Sequence, residues 1–79
     1  MQMSLMLKKL NEQVVSVHLG NGELVGQLKR IGGMWKFKAV GYTAEGHVVP
    51  GGGPLTDRHN MTFAVPDEVV VNAGLMGRE

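Results

Sequence analysis

The dipeptide Asn21-Gly22, set between two runs rich in β-branched residues, constrains the chain more than any other feature. Both residues tolerate a left-handed backbone, and Asn-Gly between apolar runs is the strongest short-range hairpin signal. Before it, Val15, Val17 and Leu19 alternate with Val14, Ser16 and His18, which predicts a half-buried strand over about 14–20. After it, a strand over about 23–31 returns antiparallel through Leu24, Val25, Gln27, Leu28 and Ile31. Gly26 interrupts that strand, and a glycine there marks a bulge, a sharp bend or a close approach. Strong curvature is expected. Gly32-Gly33 forms the next turn, and the strand over about 34–43 places Trp35, Phe37 and Ala39 opposite Lys36 and Lys38.

The flanks are less regular. Ser4 can cap a two-turn helix over about 4–11, with Met3, Leu7 and Leu10 on one side and Lys8-Lys9 opposite. Pro50-Gly51-Gly52-Gly53-Pro54 opens a flexible loop over about 50–59. Met61, Phe63 and Val65 alternate in a strand over about 60–65, Pro66-Asp67-Glu68 turns the chain, and Val69-Val70-Val71 reads as a strand over about 69–72. The expectation is one mainly β domain spanning 1–79, a short N-terminal helix followed by a five-stranded antiparallel sheet. A chain of 79 residues buries only about 60% of its unfolded surface, and this one has no cysteine to staple it. Self-association is the remaining route to stability. The segments 61–65 and 69–71 would then supply the interface, through Met61, Phe63, Val65, Val69, Val70 and Val71, because short apolar edge strands must be covered.

Charge is unremarkable in sum, at +1, but uneven in place. Lys29, Arg30, Lys36 and Lys38 lie in a stretch with no acid, and Lys8-Lys9 make a second small cluster. Brought to one face, they would attract anions. The triple glycine at 51–53 lacks the Gly-Lys-Ser/Thr that a phosphate-binding loop requires. Asp57 and His59 offer two metal ligands without a third, and no serine or threonine sits in a nucleophile motif, so neither a cofactor nor a catalytic centre is expected. The apolar run at 3–7 is stopped by Lys8-Lys9 and is too short to cross a membrane, which points to a cytoplasmic protein.

The order helix, Leu-x-Asn-Gly turn and Gly26-x-Leu28 spacing resembles the first motif of the Sm-like (Lsm) family, and Phe63 to Val71 resembles its second, shorter motif. The resemblance implies a small SH3-like barrel that closes, strand to strand between subunits, into a ring of about six or seven and binds RNA around the pore. The family's uridine pocket would fall on Gly32, Met34 and Lys36, with the Arg-Gly pair on Val65-Pro66, so its base-reading groups are absent here. What the resemblance then implies is a ring-forming, non-catalytic module holding single-stranded nucleic acid through Lys29, Lys36 and Lys38 with weak base selectivity. Two other functions compete: a structural or protein-interaction oligomer that has lost the nucleic-acid site, and a pore-site enzyme. For the latter, Tyr42 to Val49 is loosely similar to part of the plasmid-borne dihydrofolate reductases built on an SH3-like barrel.

Overall fold

A computed structural model describes residues 5–76. Four strands follow one another as a meander: β1 (Leu5–Asn11), β2 (Val14–Leu19), β3 (Leu24–Ile31) and β4 (Met34–Tyr42). β5 (Val48–Pro50) and β6 (Thr62–Phe63) both pair with β4, and a single helix, α1 (Glu68–Met76), ends the described chain. The sheet order is β1-β2-β3-β4-β5. All pairings are antiparallel.

Turn chemistry fixes the registers. At Gly32-Gly33 both φ angles are positive (59° and 84°), and Ile31 faces Met34, a two-residue hairpin whose twist matches that of its strands. The Asn21-Gly22 turn takes a three-residue form instead. Only Gly22 is left-handed (φ 95°), its N–H donates to the Leu19 carbonyl at 2.8 Å, and the Asn21 side chain accepts from Glu23 N–H at 2.9 Å. β3 gains one residue against β2 between the pairs Val17–Gly26 and His18–Leu24, and the extra residue, Val25, is fully buried. Gly26 is required for a further reason: a Cβ there would strike the Phe37 ring and the Lys38 carbonyl.

The core lies on one face of the sheet. Leu5, Val15, Val17, Leu28, Phe37 and Ala39 pack there with Phe63, Leu55, Val71 and Leu75. α1 is the covering layer, and a shortest molecular dimension of 21 Å suits a sheet with one helix upon it.

Several expectations are corrected. The helix expected at 4–11 is strand β1 over its described part, with Ser4 outside the described residues, because Leu5 and Leu7 pair with Leu19 and Val17 and so follow a period of two. The strand expected at 69–72 lies within α1. The strand expected at 60–65 shrinks to Thr62–Phe63. Among the described residues no strand joins β1 to β5, so the sheet is open there and is not closed into the expected SH3-like barrel. The flexible loop expected at 50–59 carries β5's last residue and a 3-10 turn at Thr56–Arg58, with Leu55 seated in the core. Gly51, Gly52 and Gly53 all have positive φ; Gly51 N–H donates to the Ala39 carbonyl and Gly52 N–H to Thr56 Oγ1. The Gly51 and Gly52 amides are therefore used within the fold and are not free to cradle a phosphate.

Candidate nucleic-acid interface

With the core on one face, cross-strand pairing decides what the other face presents. One row runs Lys8–Ser16–Gln27–Lys38 across β1 to β4. The next runs Val14–Lys29–Lys36–Thr62 across β2, β3, β4 and β6. Four lysines from three strands, β1, β3 and β4, thus share the uncovered face. Lys29 and Lys36 are direct cross-strand neighbours, an arrangement of like charges that opposes pairing. Among the described residues none of the four makes an ion pair; Lys38 Nζ donates to Asn60 Oδ1 at 2.7 Å, while the salt bridge of Lys9 with Glu12, at 3.4 Å, lies at the β1–β2 turn. Acids are absent from both rows.

Lys9 and Arg30 separate from this set. Lys9 pairs with Val15 and Arg30 with Trp35, which puts both on the rows that carry the core. The lysine pair at 8–9 and the Lys29-Arg30 pair are therefore each divided between faces by simple alternation. Gly32 forms the tip of the β3–β4 hairpin, and Met34 lies beside Ile31 at the end of the lysine rows, both exposed. Gly32, Met34, Lys29, Lys36 and Lys38 accordingly come together at one end of the face, and Lys8 extends it toward β1.

At the opposite corner, Met6 faces His18, which faces Leu24. His18 Nδ1 lies 3.1 Å from the Gly22 carbonyl oxygen, and Nε2 lies 2.9 Å from Ser16 Oγ, which is also 3.2 Å from the Lys8 carbonyl oxygen. A carbonyl only accepts, so Nδ1 carries the donated proton and the ring is held at both nitrogens. The Ser16–His18 pair has the contact distance of a nucleophile and its base. Yet Ser16 is 4% exposed, so its hydroxyl is not offered to solvent, and His18 Nδ1 meets the Gly22 carbonyl where a triad would place a carboxylate. Tyr42, 42% exposed, donates its hydroxyl to the Leu24 carbonyl at 2.8 Å. Sequence alternation alone places His18 outward but gives no sign of these tethers, which depend on the Gly22 turn.

The residues expected to build an oligomer interface divide. Phe63 and Val71 are buried in the core and Met61 packs against it, whereas Val65, Val69 and Val70 are exposed near the start of α1. The strand pairing between subunits expected from 69–71 is not available to a helix. His59 Nδ1 accepts from Ala39 N–H at 3.0 Å, which removes one of the two metal donors considered at 57–59. Among the described residues no three His, Cys, Asp or Glu side chains gather as a metal site, and no helix is long and apolar enough to cross a membrane.

Neither a family model, nor a curated protein, nor a solved structure matches the chain.

Proposed function

We propose that this chain is a non-catalytic module that binds single-stranded nucleic acid, RNA included, on the uncovered face of its sheet, with a cytoplasmic location as part of the same proposal. The observation that carries this reading is the direct Lys29–Lys36 pair, with Lys38 beside it and Lys8 farther along the neighbouring row, and no acid in either row. Folding brings these charges together against their repulsion, and a polyanion relieves it. Gln27 is the one amide within the two rows, Asn60 is occupied by Lys38, and no carboxylate lies in the rows, so most contacts go to phosphates and base selectivity is weak.

Fluorescence anisotropy with labelled octauridylate and octaadenylate at two salt concentrations tests this. The two oligonucleotides are expected to bind within a few fold of each other. With at most four lysines engaged, the slope of log affinity against log salt should lie near −3 or shallower for a single strand. Changing Lys29 and Lys36 together to Ala should flatten that slope by roughly 1 to 1.5. Absence of binding at low salt overturns the reading, as does salt-insensitive, uridine-selective binding.

Self-association into a ring or another closed oligomer is the second reading, favoured by the exposed apolar side chains of Met6, Ile31, Met34, Val65, Val69 and Val70. It is compatible with the first, since repetition of a weak patch raises avidity. Light scattering on gel-filtered protein decides it, and a monomer at micromolar concentration removes it.

A further inference from the structure

The corner of the lysine face at β1 and β2 holds a recess of about 370 Å³ lined by Met6, Leu7, Lys8, His18 and Gly22. Its chemistry is restricted by the tethers on His18. With Nδ1 donating to Gly22 and Nε2 against Ser16, the imidazole has no free nitrogen for a metal or a proton transfer. What it presents is a π face, fixed in position by hydrogen bonds at both ends. Met6, its cross-strand partner and 53% exposed, adds a polarisable thioether at the mouth. Lys8 stands two residues along β1 from Met6, on the same face, and its row ends at Lys38.

We infer that this recess is a base-stacking subsite, taking one nucleobase of a bound single strand against the His18 ring and the Met6 side chain while Lys8 meets the adjoining phosphate. The inference rests on the proposed nucleic-acid function and specifies where a base, as distinct from the backbone, is held. A planar heterocycle suits the recess because its walls are largely apolar and its one ring is immobilised, so little side-chain entropy is lost on stacking. The subsite takes any base, since every base has a π face and His18 has no free edge with which to choose.

The test compares wild type, His18→Ala and His18→Phe for binding of octauridylate, of an abasic oligonucleotide of the same length, and of inorganic polyphosphate, each at two salt concentrations. Wild type should bind octauridylate roughly tenfold more tightly than the abasic oligomer, a ratio in the range of one stacked base. His18→Ala should abolish that ratio with an unchanged salt slope, and His18→Phe should restore it. In wild type, the His18 ring protons should shift upfield with octauridylate and not with polyphosphate, a readout independent of any variant's folding. Equal affinity for the base-bearing and abasic oligomers, with no ring shift, overturns the subsite while leaving phosphate binding intact. Failure of wild type to bind either oligonucleotide or polyphosphate overturns the functional reading beneath it.

Discussion

At Gly26 and at Gly74 a missing side chain admits an aromatic ring. A Cβ on Gly26 would meet the Phe37 ring and, at 2.8 Å, the Lys38 carbonyl oxygen; one on Gly74 would meet Phe63 Cζ at 2.9 Å and Met61 Sδ at 3.3 Å. Gly26→Ala should therefore cost about 2–3 kcal/mol in urea denaturation, the scale of an overpacked core. The double variant Gly26→Ala/Phe37→Leu should recover part of it, and an unrecovered loss would point to the backbone contact with Lys38 instead of the ring. Gly74→Ala pits a gain of about 1 kcal/mol in helix propensity against the Phe63 contact. Net destabilisation is expected, so a rise in the melting temperature would show that Phe63 moves aside readily. Sequence reading identifies Gly26 as a place of close approach, but the ring responsible comes from Phe37 by a diagonal across β3 and β4, a contact visible only once the register is known.

Among the elements, α1 departs most from its local sequence. Val69-Val70-Val71 has β-type propensity, yet Asp67 Oδ1 accepts from Val69 N–H at 2.9 Å and Val70 N–H at 3.2 Å, the pattern of a helix N-cap. That signal is present in the sequence as Asp67 before an apolar run, and because a tight turn shares it, it does not by itself separate helix from turn. Burial of Val71 and Leu75 against the sheet does decide it. β1 shows the converse: the helix preferences of Leu, Met and Lys are small, and pairing with β2 overrides them. α1 also covers the outer edge of β1. Asn72 accepts from Leu5 N–H at 2.7 Å and donates to the Leu5 carbonyl at 3.1 Å, as a neighbouring strand would, and Glu68 Oε2 accepts from Leu7 N–H at 3.1 Å. Asp67→Ala should cost about 1 kcal/mol through the cap. Asn72→Ala should cost about 2 kcal/mol and, by uncovering the edge, increase aggregation seen by light scattering. An Asn72 variant as stable and monodisperse as wild type would mean the edge needs no cover.

For the whole molecule, the lysine face sets stability against binding. Lys36→Glu places opposite charges across β3 and β4, and should raise stability by roughly 0.5–1 kcal/mol while weakening oligonucleotide binding severely. Moderate salt should likewise raise the wild-type melting temperature by screening Lys29 from Lys36, and do so less in Lys36→Glu. Equal salt responses in the two proteins would show that the pair's repulsion is negligible. The lysine rows were legible in outline from alternation, whereas the separation of Arg30 and the addition of Lys8 required the pairing of all four strands of the meander. Finally, β4 is shared: β3 occupies one edge, and the other is divided between β6 at Trp35–Lys36 and β5 at Val40–Tyr42. Three segments must therefore wait for β4, while β1 to β4 can zip by adjacent hairpins and the Leu5–Asn72 contact closes a loop of 67 residues. In kinetic terms this pairing predicts that β4 belongs to the folding nucleus and that α1 docks late. Phe37→Leu should mainly slow refolding in a stopped-flow chevron, whereas Asn72→Ala should leave refolding nearly unchanged and speed unfolding, so that the helix guarding the β1 edge governs how long the native state lasts.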